Sequence, residues 1–252
     1  MVGQIRFQQI LGIRFLVGDA QEVIDEVARN GGLVVVPSGP GLKTLPHDAR
    51  YRQALLGADF AIADSGLMVL LWNLIQRESI PKLSGLKYMR ALIDQPHFRE
   101  PGASFWVMPS PDSAMRNQVW LKKQGINLAD EDVYLAPIYG QVISDSELLR
   151  RLEERRPRHI ILGVGSGTQE PLGLYLKEHL SYRPTIHCIG AAIAFLSGDQ
   201  VRIPISVDHL GLGWLWRCFS SPKRYVPRYW DARHLASLML RYRDRLPVAN
   251  SM

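Results

Sequence analysis

The sequence has few cysteines, no long apolar run and no histidine cluster, and each absence excludes a class of protein. Two cysteines, Cys188 and Cys218, are too few for a disulfide framework, so we expect a reducing, cytosolic compartment. Neither cysteine has a Cys-x-x-Cys partner, and the seven histidines show no metal-ligand spacing. This pattern predicts no metal site, and we also expect no cofactor.

The longest apolar runs cover residues 66–72 and 188–198. Both are well short of the roughly 20 residues that cross a bilayer. The N-terminus also lacks the basic and apolar pattern of a signal peptide. We expect a globular protein with one large domain, or one domain and an appendage.

The positive charge is concentrated at one end of the chain. Residues 201–252 carry nine Lys/Arg and three acidic residues, and this difference accounts for the whole net charge of +6. Within this region the segment 213–230, GWLWRCFSSPKRYVPRYW, combines three tryptophans with four cations and no acid. The asymmetry predicts an anionic partner: phosphate, nucleic acid or lipid headgroups. Core packing or an interface anchor suits the tryptophans better than base stacking.

Short apolar runs alternate with helical patterns over residues 1–200. The clearest helix covers residues 19–32, where Asp19 and Glu22 have the spacing of a capping box. This alternation predicts an α/β, Rossmann-like, mostly parallel sheet with helices on both faces. Residues 201–252 predict a basic helical appendage, with its boundary near 198–205 and helices at 207–219 and 230–246. The predicted strands are residues 13–17, 33–37, 60–63, 104–108, 133–136, 159–164 and 185–189.

A glycine-rich loop, GVGSGTQE, covers residues 163–170 between a predicted strand and a predicted helix. Its glycines allow a close approach of the backbone to a ligand, and the following helix N-terminus favours an anion. The spacing is GxGxG, however, and does not meet the GxGxxG dinucleotide fingerprint. A ligand loop and a plain tight turn therefore both stay open, and Gln169 is either a sugar or base contact or an ordinary first-turn residue.

Asp64 follows the predicted strand 60–63 and precedes an apolar helical pattern. Ligands of open α/β sheets bind at the carboxyl edge of the strands, which makes this carboxylate a candidate functional group. Aspartate before a helix is also a preferred N-cap, so a capping role is the alternative. The Pro/Gly/Ser loop in residues 34–42 is likewise either a turn or a second wall of the same cleft.

Together these segments resemble the WecG/TagA/CpsF glycosyltransferases, glycosyltransferase family 26. The resemblance covers almost the whole chain and is best in residues 58–72, 80–93, 162–170 and 198–230. It implies an inverting, metal-independent enzyme of bacterial cell-surface polysaccharide synthesis. Such an enzyme is peripheral on the inner face of the cytoplasmic membrane. It moves a sugar of the ManNAc, ManNAc-uronate or glucose type from a UDP donor to an undecaprenyl-diphosphate-linked sugar acceptor.

The resemblance also assigns roles to individual residues. Asp64 matches the catalytic base, which takes the proton of the acceptor hydroxyl. Without a metal, the departing UDP needs fixed cations, and the arginine fork suits phosphate oxygens. The UDP phosphate-binding positions are Arg202, Arg217, Arg224 and Arg228. The substrate-binding positions are Ser38, Lys82, Gly165 and Gln169.

The sequence departs from the family pattern at several positions. Valine replaces the expected threonine at 36, lysine the aspartate at 87, and glycine the glutamate at 213. The loop proline is Gly167, and a Phe-Asp pair is replaced by Ile193 and Ala194. These changes favour an altered donor sugar over lost activity, because the base, Gln169 and the arginines persist together.

Three other readings stay open on the sequence alone. The first alternative is a non-catalytic nucleotide-sugar- or lipid-binding protein of the same fold. A nicotinamide-dependent oxidoreductase would use the GVGSG loop. A nucleic-acid binder is the least favoured, because no named nucleic-acid module is present. The oligomeric state is also open, a homo-oligomer included.

Overall fold

The structure is a computed structural model, and it describes residues 6–190, 192–198, 216, 219–220, 222 and 233–249. Within these residues an eight-stranded sheet has the order β1-β2-β4-β3-β8-β7-β5-β6. β1 is antiparallel to β2, and every other pairing is parallel, which confirms the predicted α/β class. The strands are β1 Arg6–Ile10, β2 Ile13–Val17, β3 Gly32–Val35, β4 Phe60–Ile62, β5 Ser104–Met108, β6 Val133–Leu135, β7 His159–Leu162 and β8 Thr185–Cys188.

Helices cover both faces of the sheet, each over its own apolar cluster. The front face carries α2, α3, α4, α7, α8 and α10, and the back face carries α1, α5, α6 and α9. Their bounds are α1 Ala20–Asn30, α2 Gly39–Leu42, α3 Ala49–Gly57, α4 Gly66–Gln76, α5 Gly85–Ile93, α6 Pro111–Lys123, α7 Ser146–Arg155, α8 Gln169–His179, α9 Ala192–Ser197 and α10 Arg233–Tyr242.

Local sequence determines where α1 begins and which face it buries. Asp19 accepts the backbone N–H of Glu22 at 2.9 Å, and the Glu22 carboxylate accepts the backbone N–H of Asp19 at 3.0 Å. This reciprocal pair is the predicted capping box. Val23, Ile24 and Val27 follow at helical spacing and are buried against the back face.

The connections around β8 open a crevice at the carboxyl edge of the sheet. The chain leaves β3 and β7 toward front-face helices, whereas it leaves β8 toward α9 on the back face. Neighbouring strands whose connections go to opposite faces mark the position where open α/β sheets bind ligands. The loops after β4, β3, β8 and β7, four adjacent strands, therefore border one cleft.

The C-terminal residues 233–249 pack on the α/β body. Leu235 and Met239 of α10 are fully buried in the front-face cluster. The backbone N–H groups of Leu11 and Gly12 donate to the carbonyl oxygens of Arg243 and Asp244, both at 2.8 Å. The predicted domain boundary and nearly all of the predicted helix 207–219 lie outside the described residues.

A chain of buried polar side chains crosses the back-face core. The Tyr88 hydroxyl lies 2.9 Å from His187 Nδ1, and His187 Nε2 lies 3.2 Å from His159 Nδ1. Burial, together with the nearby positive charges of His97 and Arg158, lowers the pKa of His159 to about 3. Burial also lowers the pKa of His187 well below its usual value. Both buried imidazoles are therefore neutral at neutral pH.

Candidate active site

Asp64 lies just beyond β4, at the carboxyl edge, and its side chain is half-buried. Its Oδ1 accepts the backbone N–H of Gly85, the first residue of α5, at 2.9 Å. The cap of α4 is Ser65, whose hydroxyl oxygen accepts the backbone N–H of Met68 at 3.2 Å. The capping alternative for Asp64 is therefore wrong. One carboxylate oxygen of Asp64 therefore anchors the start of α5.

The segment that carries Lys82 lies against the end of β4. The backbone N–H of Leu83 donates to the carbonyl oxygen of Ala63 at 3.1 Å, which places half-buried Lys82 one residue from this contact. Ser84 then caps α5 by accepting the backbone N–H of Lys87 at 3.2 Å. The Lys87 side chain itself is exposed. The structure thus brings Lys82 to the same edge as Asp64.

Ser38 lies in the loop after β3 and caps the short helix α2. Its hydroxyl oxygen accepts the backbone N–H of Gly41 at 3.2 Å. A Cβ on Gly39 would lie 2.9 Å from the Ser65 hydroxyl, so the loops after β3 and β4 touch. A substrate contact from Ser38 would use its hydroxyl proton or its remaining lone pair. Such a contact stays a prediction.

Val36 gives this part of the cleft an apolar wall. A Cβ on Gly85 would lie 3.3 Å from Val36 Cγ1, so valine packs directly on the start of α5. The threonine expected here from the resemblance would offer a hydroxyl in the same place. Ile193 and Ala194 are also apolar and buried, in α9. The valine at 36 and the Ile193-Ala194 pair thus each remove a polar group that the family pattern has near the carboxyl edge.

The glycine-rich loop follows β7 and needs glycine at two positions. Gly165 has φ +92° and Gly167 has φ +89°, a region that side-chain-bearing residues rarely adopt. Proline, with φ fixed near −65°, cannot replace Gly167 in this conformation. Among the described residues, no atom lies within 4 Å of a Cβ built on either glycine. Within the described part of the chain, the space beside both glycines is therefore open.

The anion at the start of α8 belongs to the protein itself. Glu170, fully buried in the first turn, accepts the backbone N–H of Gly167 on Oε2 at 2.7 Å. Burial raises the pKa of this carboxyl. The sequence pattern predicts an external anion at this helix N-terminus, yet Glu170 already uses the Gly167 donor. Sequence reasoning assigned Glu170 no role.

Gln169 lies between the loop after β7 and the end of β8, and 2% of its surface is exposed. Its Nε2 donates to Glu170 Oε1 at 3.1 Å and to the Cys188 carbonyl oxygen at 3.2 Å. Its Oε1 is buried and has no hydrogen-bond partner among the described residues. Gly190, with φ +55°, lies under the amide. Gln169 therefore differs from an ordinary first-turn helix residue, because its amide connects the start of α8 to the end of β8.

The structure brings five predicted positions to the carboxyl edge of four adjacent strands: Ser38, Asp64, Lys82, Gly165 and Gln169. The four predicted phosphate-binding arginines lie outside the described residues, as does Gly213. They are Arg202, Arg217, Arg224 and Arg228.

A cavity of about 300 Å³ lies at the opposite edge of the sheet, lined by Gly32, Lys177, Tyr182 and Arg183 among others. Its two cations are paired with Asp59, Lys177 at 2.8 Å and Arg183 at 3.1 Å. Asp59 neutralises one of these two positive charges and holds both side chains in place.

Comparison with known proteins places the chain in a family. Residues 8–248 match the model of the family described as "Glycosyl transferase WecG/TagA/CpsF family". The chain belongs to this family. A relative from Bacillus spizizenii is 22% identical over 209 residues, which cover 80% of this chain and 78% of the relative. Its name is N-acetylglucosaminyldiphosphoundecaprenol N-acetyl-beta-D-mannosaminyltransferase.

The protein is thus a glycosyltransferase of the WecG/TagA/CpsF family. Within the part of the chain that the structure describes, no helix is both long and apolar enough to cross a membrane. In the same residues, no three His, Cys, Asp or Glu side chains come together as a metal site would require.

Gly190 gives a direct test of the Gln169 amide in this glycosyltransferase. A Cβ at 190 would lie 3.2 Å from Gln169 Nε2 and 3.3 Å from Oε1. We expect Gly190→Ala to lower sugar-transfer activity in a steady-state assay, because it displaces the amide. Its left-handed φ should also lower the free energy of unfolding by about 1–2 kcal/mol, measured with denaturant.

Gly125→Ala is the matched control. Gly125 has φ +82° but no described atom within 4 Å of its Cβ position, so it has the strain without the contact. It should lose similar stability and keep its activity. Equal activity in the two variants would show that the amide at 169 does not matter for transfer.

Proposed function

We propose that this glycosyltransferase moves a ManNAc-, ManNAc-uronate- or glucose-type sugar from a UDP donor to an undecaprenyl-diphosphate-linked sugar. The observation that carries the proposal is the position of Asp64, half-buried between the β4 end and α5 with one oxygen held by Gly85. Gln169, on the other side of β3 and β8, adds a second polar contact at the same edge. The name of the B. spizizenii relative supports N-acetylglucosamine as the acceptor sugar.

The proposed reaction is a single displacement that inverts the anomeric carbon. The acceptor hydroxyl oxygen forms the new bond to that carbon, and its proton passes to the Asp64 carboxylate. The bond to the β-phosphate oxygen breaks, and its electron pair leaves with UDP. Fixed cations then offset the growing phosphate charge without a metal, and for this role we propose Lys82 with Arg202, Arg217, Arg224 and Arg228.

The surface chemistry of two packed helices supports a peripheral position at the membrane. Leu70 and Leu74 of α4 and Leu240 of α10 are exposed large apolar side chains. α4 and α10 contact one another, and neither sequence contains an acidic residue. Exposed leucines beside the arginines of α10 suit a surface of anionic lipid. A lipid-linked acceptor would be presented at such a surface.

A donor screen tests the proposed function. Purified protein is incubated with a short-chain lipid-diphosphate N-acetylglucosamine and, separately, UDP-linked ManNAc, ManNAc-uronate and glucose, and UDP release is followed. We expect one donor to be used, with the rate unchanged by EDTA and strongly reduced in Arg224→Ala. UDP binding by calorimetry without turnover of any donor would favour the non-catalytic alternative. Loss of turnover in EDTA would contradict the proposed metal-independent mechanism.

A further inference from the structure

The Glu170 carboxylate accepts hydrogen bonds from two parts of the site, the glycine-rich loop and the neighbouring Gln169 amide. Its Oε2 accepts the backbone N–H of Gly167, at 2.7 Å, and its Oε1 accepts Gln169 Nε2, at 3.1 Å. The side chain is fully buried at the start of α8, where the positive end of the helix dipole favours a negative charge. Both oxygens are therefore occupied, one by the glycine-rich loop and one by the amide.

The bonds on Nε2 determine the orientation of the Gln169 amide. Its two acceptors, Glu170 Oε1 and the Cys188 carbonyl oxygen, come from α8 and β8. A flipped amide would place Oε1 against two acceptor oxygens, which is unfavourable. The observed orientation leaves Oε1 buried with no partner among the described residues. A buried acceptor without a donor costs stability, and such an atom at a binding edge points to a ligand.

We propose that Glu170 is a positioning residue: it holds the Gln169 amide so that Oε1 accepts an N–H or O–H group of the nucleotide-sugar. Sugar hydroxyls, an acetamido N–H and the uracil N–H all offer such a donor. The proposal rests on the substrate-binding role proposed for Gln169. Glu170 itself acts through the amide and through the loop at Gly167.

Two oxygens are required because two donors must be satisfied. Glu170→Gln keeps the shape of the side chain but has one oxygen and one NH₂ group. That NH₂ group would face either the Gly167 N–H or the Gln169 NH₂, and a donor cannot bind a donor. Either the amide loses its fixed orientation or the loop loses its anchor. Substrate contact at Oε1 is weakened in both cases.

A double-mutant cycle on kcat/KM tests the proposal with the preferred donor. We expect Gln169→Ala and Glu170→Gln each to lower kcat/KM about tenfold or more. In both variants the same share of this loss should come from a lower kcat and the same share from a higher donor KM. The kcat/KM of the double variant should be at most about threefold below that of the less active single variant, because the two changes remove the same interaction. If the two residues acted independently, their effects would multiply and lower the kcat/KM of the double variant about 100-fold. Glu178→Gln, exposed on the same helix, is the control and should match the wild type.

The outcomes separate this proposal from the proposed function. A wild-type kcat/KM in Gln169→Ala would show that Gln169 does not bind the substrate, and the role proposed for Glu170 would then be wrong as well. The positioning role alone would be contradicted by two other results. One is an impaired Gln169→Ala whose effect multiplies with that of Glu170→Gln. The other is a loss of kcat/KM in Glu170→Gln that is shared differently between kcat and KM. Thermal unfolding shows whether each variant is folded. If Glu170→Gln is not, the cycle is run with Glu170→Asp, whose shorter side chain cannot reach both the Gly167 N–H and the Gln169 amide, and the same non-additive result is expected.

Discussion

Asp64→Asn should lower kcat for sugar transfer by about 10²- to 10⁴-fold, the usual contribution of a general base. Asparagine retains an Oδ1 that can accept the Gly85 N–H, so the anchor at the start of α5 is kept. Ser65, and not Asp64, caps α4, so that helix is unaffected as well. The substitution therefore removes the proton acceptor and little else. Steady-state kinetics with saturating donor and acceptor measure the effect.

Two controls make this result specific. Asp25→Asn, on the exposed face of α1, should keep wild-type kcat, because it changes the same charge far from the cleft. UDP binding to Asp64→Asn by calorimetry should also match the wild type, since the base acts on the acceptor. A kcat for Asp64→Asn within about threefold of the wild type would show that another group takes the proton.

Acid should destabilise the protein strongly through its buried imidazoles. In the unfolded chain a histidine binds a proton below about pH 6.5, whereas in the fold the pKa of His159 is about 3 and that of His187 is also lowered. The unfolded state therefore binds more protons between these values. Stability is fully present above pH 6.5 and is lost as the pH falls toward 3. Each group contributes up to about 1.4 kcal/mol per pH unit.

Denaturant unfolding at several pH values, with a His159→Phe variant, isolates this effect. The variant should lose stability at pH 7, because His187 Nε2 loses its partner at 159. Between pH 6 and 4, however, its free energy of unfolding should fall less steeply by about 1.4 kcal/mol per pH unit. His179→Gln, at an exposed histidine of α8, should leave the slope unchanged. An unchanged slope in His159→Phe would mean that the buried imidazole is not the acid-labile group.

The sequence predicts the interior of the fold well, because periodicity is local. Every predicted strand is present, and β2 and β5 have the predicted bounds. The capping box at Asp19 and Glu22 is also confirmed, since its two partners are three residues apart. β1 was not predicted. Its residues RFQQI contain little apolar pattern, and it forms as an antiparallel edge strand because Gly12, at φ +78°, turns the chain back onto β2.

The candidate site is predictable only in part, because its decisive contacts are between distant residues. The position of Asp64 follows from the strand before it, but two adjacent oxygen-bearing residues, Asp64 and Ser65, both suit the cap of α4. Backbone geometry chooses Ser65. The orientation of Gln169 depends on Cys188 and Gly190, which are contributed by another strand and its loop. No local pattern shows that pairing of β7 with β8 brings them together.

The most direct test of the account is the product itself. Purified protein is mixed with UDP-ManNAc and a short-chain polyprenyl-diphosphate N-acetylglucosamine in EDTA, and the lipid is examined by mass spectrometry. The account predicts a lipid-linked disaccharide, heavier by one N-acetylhexosamine, that Asp64→Asn does not form at a comparable rate. If UDP-ManNAc is not the donor, the uronate or glucose donor should give the corresponding product. Folded, UDP-binding protein that forms no lipid-linked disaccharide with any of these donors would contradict it.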